Sequence, residues 1–154
     1  MNLTIIGEKE MKYIKVDKEY VLNDKDLIKA SGMHAMWHGL STEEYASCRL
    51  RTFDECYKFI KQLAPSIKEY FDEDAKRVSP SSKKARHTYY LKHRFQYIDG
   101  EAQYYKGRAF YTSNLAFILL LLEAGLDVYK EAYYDYGCYI APYSFRKRRK
   151  SRSL

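Results

Sequence analysis

Eight consecutive apolar residues, Leu115 to Leu122, set the strongest constraint on how this chain folds. A segment with no polar face cannot rest on a surface, so it has to be surrounded on all sides. Periodicity alone does not separate a buried helix from a buried strand, but the flanks do. Thr112 or Ser113 stands where an N-cap belongs, Gly125 follows the run, and Leu outnumbers β-branched residues. The reading is a central buried helix near 114–125. Eight residues fall far short of the ~20 that cross a bilayer, so no membrane partner is expected.

The rest of the chain, 154 residues in all, is one domain's worth of sequence that can hold a core without disulfides or metal. Met11 to Leu22 reads as a small hairpin turning at Asp17-Lys18. A short helix follows, capped by Asn23 or Asp24, with Leu27 and Ile28 inward and Gly32 just past its end. Capping boxes recur at Ser41/Glu44, Thr52/Glu55 and Ser66/Glu69. The second opens an amphipathic helix whose stripe is Phe53, Cys56, Tyr57, Ile60 and Leu63. Pro65 is expected to end that helix or start the next, whose inner face is Ile67, Tyr70 and Phe71, with Asp72-Glu73-Asp74 as its exit toward solvent. Residues 78–84 read as a loop. Arg86 to Ile98 reads as a helix with Leu91, Phe95 and Ile98 inward and the bases outward, broken by Asp99-Gly100. Tyr104 to Tyr111 suits a small hairpin or extended loop around Lys106-Gly107, while the Tyr-rich stretch from Asp127 to Tyr143 carries no clear pattern. The expected architecture is mainly α (α+β with one or two small β-hairpins): a compact single domain over residues 1–143 and a basic C-terminal extension over 144–154.

Charge placement says more than the net +7. Seven bases and no acid lie between Lys76 and Arg94, namely Lys76, Arg77, Lys83, Lys84, Arg86, Lys92 and Arg94. Six more, again with no acid, follow Ser144: Arg146, Lys147, Arg148, Arg149, Lys150 and Arg152. The other 14 bases are outnumbered by all 20 acids. A negative globule with two gathered positive blocks favours a polyanionic partner. Tyr89, Tyr90, Leu91 and Phe95 interleave with the middle block, which therefore offers phosphate contacts and faces for base stacking together. The bland alternative for either block is a solvated face or a solubility tail.

Catalytic and metal signals are weaker. His34 and His38 stand four apart, but no Glu follows the first, Gly32 and Gly39 flank the pair, and adding Cys48 and Cys56 matches no finger spacing. No Gly-x-Ser-x-Gly turn and no Gly-rich phosphate loop is present. His87 and His93 could activate water, yet their block lacks the acidic metal ligands of a nuclease. No enzyme activity, cofactor or metal is expected. Three cysteines, Cys48, Cys56 and Cys138, are an odd set suited to a reducing compartment. The first eight residues have neither a basic head nor an apolar stretch, so a cytoplasmic location is expected. Seventeen tyrosines are about three times common usage. They serve either as half-exposed core edges or as a contact surface.

Two resemblances bear on function. Leu121 to Asp127 resembles a segment of tyrosine recombinases that follows their catalytic His-x-x-Arg. Asn114 stands where that arginine belongs and no Gly-His follows, so the catalytic cation is missing. Thr88-Tyr89-Tyr90-Leu91-Lys92-His93, then Tyr111-Thr112-Ser113-Asn114 leading into Phe117-Ile118 and Ala124-Gly125-Leu126, resembles small uncharacterised proteins of bacteria, phages and plasmids. Those run Ser-Tyr-x-Leu-Lys-His, then Tyr-x-Ser-Asn-x-x-Phe-Ile, then an Ala/Cys-Gly pair; Thr88 replaces the usual Ser. The resemblance implies an α-rich fold and a mobile-element origin.

The expectation is a non-enzymatic nucleic-acid-binding protein, DNA or RNA, of mobile-element or phage type. Its contacts would be Lys83, Lys84, Arg86, Tyr89, Tyr90, Lys92, His93, Arg94 and the basic residues of the extension. The competing expectation is a protein-directed module, an inhibitor or adaptor of a host protein, docking through its Tyr-rich surface. Oligomeric state is left open.

Overall fold

A computed structural model describes residues 2–6, 11–31, 53–98, 101–102, 104–105, 108–109, 113–132 and 138–145. The helices among the described residues are α1 (Lys18–Leu22), α2 (Lys25–Ser31), α3 (Phe53–Asp74), α4 (Thr88–Gln96) and α5 (Asn114–Glu123). The central helix is as the sequence requires. Ser113 caps α5 by accepting from the Ala116 N–H at 3.1 Å, and Leu115 through Leu121 are buried without interruption. Gly125 closes the helix at φ +78°, a conformation other residues adopt only with strain.

Helix α3 corrects one expectation. It runs unbroken for 22 residues through Pro65, so Ser66 and Glu69 sit mid-helix rather than in a capping box. The apolar stripe decides this. Tyr57, Ile60, Leu63, Ala64, Ile67 and Phe71 are all buried, and ending the helix at Pro65 would split that stripe. Pro65 itself faces solvent, where the Lys61 carbonyl it leaves without an N–H partner can be hydrated.

The fold is α+β, not mainly α. Strands β1 (Asn2–Ile6), β2 (Met11–Lys15), β4 (Arg86–His87), β9 (Tyr129–Glu131) and β10 (Tyr139–Ala141) form an antiparallel sheet in the order β1-β2-β9-β10-β4. Two further strands, β3 (Ala75–Arg77) and β11 (Tyr143–Phe145), pair separately. Small antiparallel pairs join β5 (Tyr97–Ile98) to β6 (Glu101–Ala102), and β7 (Tyr104–Tyr105) to β8 (Arg108–Ala109). The β7–β8 pair falls within Tyr104 to Tyr111, where the sequence suits either a small hairpin or an extended loop; Lys106 and Gly107 lie outside the described residues.

Other parts of the sheet depart from the sequence reading. Met11–Lys15 does form a hairpin, but with Asn2–Ile6 before it. Asp17 is no turn residue; it caps α1, accepting from the Tyr20 N–H at 2.8 Å. The unassigned Tyr-rich stretch supplies β9, β10 and the start of β11. Because β11 extends to Phe145, the boundary drawn at residue 144 falls inside a paired strand. The His34/His38 pair, Cys48, the first capping box and Tyr133, Tyr134 and Tyr136 lie outside the described residues.

Strand alternation gives the sheet two unlike faces. Tyr139 and Ala141 point into the main core with α3, α5 and Val128, and Ile14 packs against it. Tyr13, Tyr129 and Ile140 point the other way and make a smaller cluster against Ala85. Polar ties lock the layers. Asp24 caps α2 through Oδ1, which accepts from the Asp26 and Leu27 N–H groups at 3.1 and 3.2 Å. Its Oδ2 accepts the Tyr139 hydroxyl and lies 3.8 Å from Lys130 Nζ. Tyr57 donates to Glu123 Oε2 at 2.6 Å, joining α3 to α5.

Candidate nucleic-acid interface

The middle basic block folds as a loop, a short strand and a helix. In the loop, the Ser82 N–H donates to the Ser79 carbonyl at 2.9 Å and the Ala85 N–H to the Ser82 carbonyl at 3.1 Å, closing two successive turns. The Ser82 hydroxyl accepts from the Lys84 N–H at 3.1 Å. These bonds fix the loop backbone and leave the Lys83 and Lys84 side chains in solvent.

Arg86 follows on β4. Its Nη1 donates to the carbonyls of Lys83, Lys84 and Ala85 at 3.1, 3.0 and 3.4 Å, and its guanidinium carbon lies 5.9 Å from the centre of the Tyr90 ring. The side chain is thereby anchored by one arm to its own loop. Among the described residues, Lys83, Lys84 and Arg86 form no ion pair, and Arg86 Nε and Nη2 make no hydrogen bond.

Helix α4 divides the remaining candidates by spacing. Thr88, Leu91 and Lys92 share the inward face and are 1%, 2% and 7% exposed. Tyr89 and Tyr90 face outward, 58% and 53% exposed. His93 is also exposed, its ring 4.7 Å from that of Tyr89 in an edge contact. Lys92, expected to face outward, is thus withdrawn from any phosphate. Its Nζ rests 4.7 Å from the Tyr89 ring centre, and burial pushes its amine below the usual lysine range.

Two other bases of the block are placed differently again. Arg77 pairs with Asp127 at 3.1 Å and stacks near Tyr129 and Tyr143, so it is neutralised in place. Lys76 is exposed on β3. The Arg94 side chain and the bases Arg146 to Arg152 lie outside the described residues. The last described residue, Phe145, pairs with Ala75, whereas Val78 is bonded to Pro142 at the other end of the β3–β11 pair. Strand β11 therefore runs away from the 78–85 loop.

An open pocket of about 630 Å³ lies where the loop meets the outer face of the sheet. Lys83, Arg86, His87 and Tyr90 line it together with Tyr13 and Glu131. His87 and Ile140 are register partners across β4–β10, and Tyr13 and Glu131 across β2–β9, so sheet pairing assembles this wall from distant parts of the chain. Burial raises the Glu131 carboxyl above the usual range while the nearby His87 draws it back. Nothing in the sequence marked Tyr13 or Glu131, since neither lies near the basic block in the chain. Among the described residues no group of three or more His, Cys, Asp or Glu is placed to hold a metal.

The two sequence motifs around Thr88 and Asn114 meet in space. Thr88 Oγ1 donates to Asn114 Oδ1 at 2.9 Å, joining the first turns of α4 and α5. With Thr88, Leu91, Lys92 and Ser113 all buried, much of those motifs serves helix packing. In comparison with known proteins, the chain matches no family model, and no curated protein or solved structure matches it.

Proposed function

We propose that this protein binds single-stranded nucleic acid without acting on it, placing Lys83, Lys84 and Arg86 on phosphates and stacking bases on Tyr89 and Tyr90. One observation carries the reading: two adjacent tyrosines, each more than half exposed, follow within seven residues of chain on three cations that pair with no carboxylate among the described residues, and one of these, Arg86, lies 5.9 Å from the Tyr90 ring centre. A large exposed apolar surface is informative where a single exposed leucine is not. Base–aromatic stacking contributes about 1–3 kcal/mol per base and tolerates any sequence, because every base has a π-face. Duplex DNA hides those faces, so exposed rings favour an unpaired strand.

Fluorescence anisotropy with a labelled oligonucleotide across a salt series tests this. Each phosphate neutralised on a single strand contributes about −0.7 to the slope of log K against log salt. Lys83→Glu with Lys84→Glu should flatten the slope by about 1.4. Tyr89→Ala with Tyr90→Ala should weaken binding at every salt concentration and leave the slope alone. Binding that ignores salt removes the proposal. So does a protein partner that stays bound after nuclease treatment while oligonucleotides fail to bind, which would establish the protein-directed module instead.

A further inference from the structure

The pocket beside Tyr90 asks for a more defined ligand than a passing strand. Ligand sites commonly enclose about 300–1,000 Å³, a range that includes this one at about 630 Å³. Arg86 is its most telling group. Three loop carbonyls hold Nη1, which fixes the guanidinium plane, while Nε and Nη2 remain without hydrogen bonds among the described residues. An anchored guanidinium with two donors open on one edge is built for bidentate contact with a planar pair of oxygens. Lys83, His87, Ser81 and Ser82 line the same pocket, and Tyr90 stands at its side, more than half exposed, with Arg86 over one face of its ring and the other face left for stacking.

We propose that this pocket seats a terminal phosphomonoester, with the attached base on Tyr90, so that the protein recognises phosphorylated strand ends. The proposal rests on the strand-binding reading above and adds the ligand of one subsite. A monoester carries about −1.5 to −2 charges near neutral pH, against −1 for an internal diester, and so gains more from Lys83 and Arg86 together. Glu131, the one acid in the lining among the described residues, opposes it.

The test compares oligonucleotides of one sequence bearing 5′-phosphate, 3′-phosphate or hydroxyl ends, with adenosine monophosphate as the free nucleotide. A phosphorylated end should bind about tenfold tighter than the hydroxyl form. Arg86→Lys keeps the charge but loses the two-donor edge, and should abolish that preference while circular dichroism stays unchanged. Lys83→Ala, on an exposed loop, should reduce it without risk to folding, and Glu131→Gln should enlarge it. Equal, salt-dependent binding of all three ends overturns the pocket assignment and leaves strand binding standing. Binding of the mononucleotide alone, lost in Arg86→Lys, keeps the phosphomonoester site and overturns strand binding. Failure of every probe overturns both.

Discussion

Lys92 shares its face of α4 with Thr88 and Leu91, and among the described residues its ammonium meets only the Tyr89 ring. A charge run read as a block places it outward with its neighbours; spacing places it inward, one turn from Thr88 and beside Leu91. Spacing wins, because the face of α4 toward α5 is chosen by Thr88 and Leu91 and carries Lys92 with it. Burial lowers the folded-state pKa, so the charge opposes folding at neutral pH and this opposition fades as pH rises toward the ordinary lysine value of 10.5. Lys92→Met keeps the aliphatic stem and removes the charge. It should raise stability by about 1 kcal/mol at pH 7, read as a higher urea midpoint at constant slope. Lys84→Met, on the exposed loop, should change it by less than about 0.5 kcal/mol. A destabilised Lys92→Met protein would show that the ammonium has a structural role of its own.

At the scale of elements, helices were legible where local signals agree and strands were hidden where pairing is distant. Helix α5 could be read because Ser113, an apolar run and Gly125 specify it within thirteen residues. The sheet could not: β9 and β10 are three residues each, and β9 pairs with β2 from near the start of the chain. Three residues show no alternation long enough to see, and the Tyr-rich composition fits a surface as well as a strand. The same distance hid Tyr13 and Glu131 in the pocket, while Lys83, Arg86 and Tyr90 were legible as local sequence. Pro65 shows a local signal overruled. Its stop is real chemistry, since a mid-helix proline costs about 3 kcal/mol, yet burying Ile67 and Phe71 on the same stripe as Ile60 outweighs it. Pro65→Ala returns an N–H donor to the Lys61 carbonyl at an exposed position. Allowing for the freer unfolded chain, it should stabilise by about 2 kcal/mol in urea denaturation. A loss of stability instead would mean that α3 relies on the shape proline imposes.

Over the whole molecule, tyrosine hydroxyls bind the layers together: Tyr139 joins β10 to α2 through Asp24, and Tyr57 joins α3 to α5 through Glu123. Both hydroxyls are held far above the ordinary tyrosine value of 10.0, first by burial and then by donating to a carboxylate. A group whose folded pKa is raised contributes fully below its unfolded value, and its contribution falls as pH climbs beyond it. Alkaline pH should therefore unfold this protein steeply from about pH 10, each such tyrosine adding roughly 1.4 kcal/mol per pH unit to the loss. Tyr139→Phe separates this from general lysine deprotonation. At neutral pH the variant should lose about 1–2 kcal/mol, because a hydrogen bond to a charged acceptor is gone. Above pH 10 its stability should fall less steeply than the parent's, so the two curves converge about one unit higher. Urea midpoints measured from pH 7 to beyond pH 11 would reveal the convergence. Parallel curves would mean that Tyr139 ionises in the folded chain as easily as in the unfolded one, which a hydroxyl sealed between Asp24 and the core cannot do.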